Sequence, residues 1–144
     1  MGSEMCIRDS QVEFRDTDAA GIMHFASIMG IMEEAEHEFL RHAELPLFRD
    51  HSEGGHVSWP RVSATCDFRS PARFEDKLDI SVGVKRIGRR SVTYQFLLSC
   101  EGRPVAEGTM TSACCLVENG QISSVDMPDD TRATLEQYVV RADG

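Results

Sequence analysis

Arg15-Asp16-Thr17-Asp18-Ala19-Ala20-Gly21-Ile22-Met23-His24-Phe25-Ala26-Ser27 is the junction between two different periodicities. Upstream, Val12 and Phe14 share one face of a short strand-like run from Gln11 to Phe14. Downstream, Ile28, Met32, Ala35 and Phe39 are spaced by four, three and four residues. That spacing predicts a long helix from Ser27 to His42 with a continuous apolar stripe. Met29, Ile31 and Leu40 widen the stripe, so the helix needs a broad partner such as a sheet. Two carboxylates, a glycine and a histidine are crowded between strand and helix. A helix start offers unpaired N–H groups and the positive end of its dipole, which favour an oxygen gaining negative charge. A carboxylate beside such donors suits hydrolysis or acyl transfer. The same D-x-D-x-x-G letters also serve as an ordinary turn in which an aspartate only binds nearby backbone.

The other face of the helix carries Glu33, Glu34, Glu36, His37, Glu38 and Arg41 and is expected to meet solvent. Glu33 or Glu34 is early enough in the helix to reach an active site. His37-Glu38 with His42 imitates a metalloprotease helix, but these histidines are five apart rather than four. At ~100° per residue they diverge by about 140°, so no metal site is expected there. Pro46 closes the helical region, and Leu47 to Gly55 reads as a loop. Beyond it the period becomes two. Val62, Ala64, Cys66 and Phe68 alternate with polar residues, as do Leu78, Ile80, Val82 and Val84. Val92, Tyr94, Phe96, Leu98 and Cys100 repeat the pattern, and a further strand runs from Val105 to about Val117. Gly88, Glu101-Gly102-Arg103-Pro104 and Asn119-Gly120 mark antiparallel hairpins, and Asn-Gly is the strongest of these signals. A short amphipathic helix from Asp129 to Val140 follows Pro128. The predicted class is α+β, with one long helix packed on one face of a curved antiparallel sheet.

With 144 residues the chain is most simply one domain, residues 11–144. Residues 1–10, opening on Met1-Gly2-Ser3, read as an expression remnant or a disordered N-terminal segment and receive no functional weight. Fifteen Lys and Arg against 24 Asp and Glu give a formal charge of −9, which argues against a nucleic-acid partner. No apolar run approaches the ~20 residues of a membrane span, so no membrane association is expected. No signal-peptide core is present either, which makes the cytoplasm the expected compartment. The five cysteines form no C-x-x-C pair and read as small packing residues in a reducing compartment.

Asp16-Thr17-Asp18-Ala19-Ala20-Gly21, an aliphatic pair, a ring residue and a helix containing Glu33-Glu34-Ala35 together resemble the 4-hydroxybenzoyl-CoA thioesterase-like family. The likeness continues through Phe68-Arg69-Ser70-Pro71-Ala72, Phe74-Glu75-Asp76 and Val105-Ala106-Glu107-Gly108, covering about residues 11 to 140. It implies a hotdog fold, a curved antiparallel sheet wrapped around one long central helix, and acyl-CoA thioesterase activity, with no cofactor beyond the coenzyme A of the substrate. It also implies a homodimer or homotetramer with active sites at subunit interfaces. The family's catalytic aspartate matches Asp18, and its backbone oxyanion donor falls at about Phe25. The helix start differs from many relatives, which carry aromatics and an Asn or Tyr where this chain has Ser27, Ile28, Gly30 and Ile31.

Asp18 can act by direct attack on the thioester or as general base toward water. The N–H groups at His24 and Phe25 are the expected oxyanion donors, and Asp16 is expected to brace the turn. His24 is a candidate to donate a proton or steady the carbonyl, or else a packed residue. Lys85-Arg86-Ile87-Gly88-Arg89-Arg90 places four cations within six residues of an acidic chain. Arg86, Arg89 and Arg90 suit the phosphates of coenzyme A, or form a solubilising turn. Ser91 could add a hydroxyl to that site, and Trp59 is a candidate wall of the acyl pocket. Two rival readings follow from the same residues. One is a hotdog-fold hydratase or dehydratase using His24 with Asp18 or Glu33, and the other is a non-catalytic acyl-CoA-binding domain.

Overall fold

The computed structural model describes residues 5–46, 49–51 and 54–140. Residues 1–4 of the segment 1–10 read as an expression remnant or disordered, residues 47, 48, 52 and 53 of the expected loop, and residues 141–144 lie outside this set. Nine strands and two α-helices follow in order among the described residues: β1 (Met5–Gln11), α1 (Phe25–His42), β2 (Arg49–Asp50), β3 (His56–Ser58), β4 (Arg61–Phe68), β5 (Lys77–Ile87), β6 (Ser91–Cys100), β7 (Arg103–Ala113), β8 (Cys115–Glu118), β9 (Gln121–Ser124) and α2 (Asp129–Glu136). A single 3-10 turn, Phe14–Asp16, separates β1 from α1.

Five strands form one antiparallel sheet in the order β1-β5-β6-β7-β4, and a smaller sheet has the order β2-β3-β8-β9. The α+β class and the single long helix match the sequence reading. Residues 5–10, given no role from sequence, form most of β1 and pair with β5 from Met5↔Val82 to Gln11↔Lys77. The apolar stripe of α1 meets the inward faces of β5 and β6, where the alternation predicts them. Ile28, Met32, Ala35 and Phe39 pack with Leu78, Ile80, Val82, Val84, Val92, Phe96 and Leu98 in one buried cluster. Burying each large side chain contributes about 1.5–3 kcal/mol. The ring of Phe39 meets Tyr94 and Tyr138 edge-on, at 5.8 and 5.0 Å between centroids. Helix and sheet approach closely at Gly108, where a Cβ would lie 2.4 Å from Met32 Cε and 2.8 Å from the Thr65 carbonyl oxygen.

Several features depart from the sequence reading. The strand expected from Gln11 to Phe14 ends at Gln11, and Phe14 begins the 3-10 turn with its side chain 77 % exposed while Val12 is buried. Glu36, assigned to the solvated face, is only 3 % exposed. It lies four residues from both Met32 and Leu40, inside the apolar stripe, and Arg61 accompanies it there through a two-bonded pair of 2.9 and 3.0 Å. β4 sits at the edge of the large sheet, so its alternation does not bury one side: Val62 is 63 % exposed, and Ala64 and Phe68 are exposed too. The long strand expected from Val105 to Val117 breaks at Cys114, and β8 leaves the large sheet for the small one. α2 stops at Glu136, after which Val140 N–H donates to the Val84 carbonyl at 2.8 Å. The Asn119-Gly120 hairpin is as expected, with positive φ at both residues (51° and 76°) as a two-residue hairpin turn requires. Cys66, Cys100, Cys114 and Cys115 are free thiols, and burial pushes the Cys114 thiol up to about 11. No helix among the described residues is long and apolar enough to cross a membrane.

Candidate active site

The turn ahead of α1 is held by its own side chains. Asp16 Oδ2 accepts from the Glu13 N–H at 2.9 Å, and the Asp16 carbonyl accepts from the His24 N–H at 2.6 Å. Asp16 therefore ties both ends of the turn together. Asp18 closes the inner loop: its N–H donates to Ile22 O and its carbonyl accepts from Gly21 N–H, each at 2.9 Å. Gly21 adopts a φ of 79°, the left-handed region that favours glycine. Asp18 Oδ1 accepts from the Ala20 N–H at 2.8 Å, which fixes the carboxylate plane. Its Oδ2 takes no hydrogen bond from any described residue, and the side chain is exposed.

His24 is the N-cap of α1, and its Nδ1 accepts from the Ala26 N–H at 3.0 Å. That bond puts the proton of a neutral ring on Nε2. The ring stacks on Phe25, with centroids 4.9 Å apart. Since the His24 N–H is engaged with Asp16, it is not free to serve as an oxyanion donor. The Phe25 N–H, at the first helical position, has no acceptor among the described residues. Asp18 and Phe25 border one pocket of about 460 Å³, together with Ile22, Met23, Ile28, Phe68 and Val105. His24 does not line it. The structure thus brings Asp18 and Phe25 together and makes His24 a cap beside them.

A second wall of this pocket, Arg69-Ser70-Pro71-Ala72, has no assigned role in the sequence reading. Arg69 pairs with Glu107 at 2.9 Å, and Arg103 Nη1 donates to Ser70 Oγ at 2.6 Å and to the Pro71 carbonyl at 2.8 Å. The Met23 N–H donates to the Ala72 carbonyl at 2.7 Å and clamps this loop against the Asp18 turn. The available signal was the Phe68–Ala72 motif itself, which follows a strand ending in an exposed aromatic.

The remaining candidates lie elsewhere. Arg89 and Arg90 occupy the β5–β6 hairpin, and both Nε atoms donate to Asp126 Oδ1, at 3.0 and 2.8 Å. The hydrogen bond from Arg90, then that from Arg89, holds the Asp126 carboxyl below its usual range. Arg89 remains 76 % exposed, and the terminal nitrogens of both arginines stay available to a phosphate. Arg86 is exposed near the end of β5, and Ser91 begins β6 with its carbonyl accepting from the Gly88 N–H at 2.8 Å. Trp59 is half-buried and walls a separate cavity under the C-terminal half of α1. Val105 lines the Asp18 pocket, whereas Ala113, at the far end of the same strand, pairs with Ser91. Most of the 11-residue β7 therefore separates the arginine hairpin from Asp18, about 25 Å at ~3.4 Å per residue. Within one chain these two groups do not form a single site.

Residues 12–135 match the profile of the thioesterase-like superfamily. A 1,4-dihydroxy-2-naphthoyl-CoA hydrolase from Nostoc punctiforme is 33 % identical over 135 residues, covering 92 % of this chain and 88 % of the relative. Among solved structures, a hypothetical protein from Thermus thermophilus superposes with a TM-score of 0.79 at 25 % identity, covering 93 % of this chain and 99 % of the other. A gentisyl-coenzyme A thioesterase superposes with a TM-score of 0.74 at 26 % identity, covering 90 % and 99 %. An aspartate turn feeding a long helix, a sheet packed on that helix, and a match over nearly the whole domain agree: the chain belongs to the thioesterase-like superfamily of hotdog-fold thioester hydrolases.

Proposed function

We propose that this chain hydrolyses an acyl-CoA thioester to the free acid and coenzyme A, with Asp18 as the reacting carboxylate. The observation that carries this reading is the shared pocket, in which an unengaged carboxylate oxygen and an unengaged helix-start N–H border the same apolar space. As general base, Asp18 takes a proton from water while the water oxygen adds to the thioester carbon. As nucleophile, it forms a mixed anhydride that water then opens. In either route the carbonyl oxygen gains negative charge, which the Phe25 N–H and the helix dipole stabilise. The C–S bond then breaks, and the thiolate leaves and takes up a proton. Aromatic acyl groups are the proposed substrates. Phe25 and Phe68 flank the pocket as exposed rings, and two relatives are named for hydroxylated aromatic acyl-CoAs.

The site is completed by a second copy in this reading. Phe25 is 64 % exposed at the pocket rim, and the outer edge of β4 has no neighbouring strand among the described residues. Exposed edges and apolar rims are what a paired sheet would cover. A partner copy supplies Arg86, Arg89, Arg90 and Ser91 to the phosphates of coenzyme A, which accounts for their distance from Asp18 within one chain. This reading needs no cofactor and takes the cytoplasm as the compartment.

A screen of aromatic and aliphatic acyl-CoAs tests the activity, measuring thiol release and free acid together. The expected result is equal amounts of acid and coenzyme A, fastest with a hydroxylated aromatic acyl group. Hydration of an enoyl-CoA without thiol release would instead make the chain a hydratase. Saturable acyl-CoA binding with no product would make it a binding domain.

A further inference from the structure

A second cavity of about 280 Å³ lies beside the C-terminal half of α1, lined by residues of β3, β6 and α2 as well. It shares no lining residue with the Asp18 pocket, and Glu36 on its wall is about 16 Å along the helix from Phe25 at ~1.5 Å per residue. Leu40, Val57, Trp59 and Leu135 supply the apolar part of its wall, and Glu33, Glu36, His37, Arg49 and Arg61 the charged part. Four hydroxyl-bearing residues line the same space; Ser58 is half-buried, and Thr131 Oγ1 accepts from Arg49 Nη1 at 3.4 Å. The other two are deeply buried: Tyr94, 4 % exposed, and Ser112, 3 % exposed. Neither hydroxyl has a hydrogen-bond partner among the described residues, although buried hydroxyls normally have one. Burial pushes the Tyr94 phenol up, and the Glu36 charge adds to this, so the group stays an O–H that can donate.

The charges around the cavity are already matched. Arg61 spends both terminal nitrogens on Glu36 and also meets Glu33 at 3.4 Å, while Arg49 is paired with Asp130 at 2.8 and 2.9 Å. His37 Nε2 lies 3.7 Å from Glu36. No free cation is left among these groups to welcome an anion, and the carboxylates would repel one. A partly apolar wall, the two unpartnered hydroxyls of Tyr94 and Ser112, and charges already spent on one another together select for an uncharged ligand with its own polar group. We propose that this cavity is a second ligand site, distinct from the thioester pocket, for a compact uncharged alicyclic or aromatic molecule carrying a hydroxyl. The ligand hydroxyl bonds Tyr94 and Ser112, and its ring fills the space against Trp59. The volume lies just below the ~300–1,000 Å³ range of small-molecule sites, which fits one small ring system and not an acyl-CoA.

The chain contains one tryptophan, and it stands on this wall, so its emission reports occupancy directly. The probe is 1-adamantanol, a neutral cage alcohol transparent where tryptophan absorbs. Titration into the intact protein should give a saturable change in Trp59 emission. Tyr94→Phe and Ser112→Ala should each weaken binding about tenfold, and Asp18→Asn should leave it unaltered. No saturable change up to the solubility limit, as for a cavity holding water alone, would overturn the proposal. Equal affinity in wild type and both hydroxyl-lacking variants would overturn it as well, as would loss of the titration in Asp18→Asn.

Discussion

His24 shows how a single residue can carry a catalytic appearance and a structural task. Its Nδ1 accepts from the Ala26 N–H, so the ring begins α1 as an N-cap. Asparagine keeps such an acceptor and alanine does not. His24→Asn should therefore retain kcat/KM within about threefold, while His24→Ala should lose about 1 kcal/mol of stability in urea unfolding. A loss of ~100-fold in His24→Asn at unchanged stability would return the ring to the chemistry. Asp18 is the opposite case, with one carboxylate oxygen anchored by Ala20 and the other unengaged. Asp18→Asn preserves shape and removes the charge, so thiol release should fall ~10²-fold or more with folding intact. The aspartate turn was legible because its residue types crowd a strand–helix junction. Glu36 was not. Its spacing from Met32 and Leu40 assigns it to the buried stripe, its charge argues for the surface, and only Arg61, 25 residues on, resolves the conflict.

At the scale of elements, periodicity did most of the work. A stripe spaced by three and four gave α1, and alternation gave β5 and β6, because each element buries one face in the same core. Alternation cannot tell which sheet receives a strand. It runs on through Cys115 and Val117, and so does not mark the break at Cys114 between β7 and β8. Nor can it tell whether a face finds a partner within its own chain: β4 alternates as β5 and β6 do, yet Val62, Ala64 and Phe68 are exposed. The contact of α1 with the sheet depends on the missing side chain at Gly108. A methyl there would meet Met32 and the backbone of Thr65 at once, and only the methionine can move aside. Gly108→Ala should cost about 1–3 kcal/mol in urea unfolding, and an unchanged midpoint would contradict this account of the packing.

The whole molecule presents two chemically distinct ends: an aspartate pocket at the start of α1 and an arginine hairpin about 25 Å away along the sheet. The sequence marked both groups and could not measure the distance between them, since that follows from strand register rather than from either motif. If two copies assemble each site, the two defects complement one another. Asp18→Asn and the double variant Arg89→Ala with Arg90→Ala should each be poorly active alone. Mixed at equal amounts under subunit exchange, half of the dimers pair the two variants, and each of these has one intact site. The most direct test of the account is therefore kcat/KM for an aromatic acyl-CoA before and after that exchange. With shared sites, kcat/KM should recover to about a quarter of the wild-type value. Activity that stays at the average of the two parents would contradict shared sites.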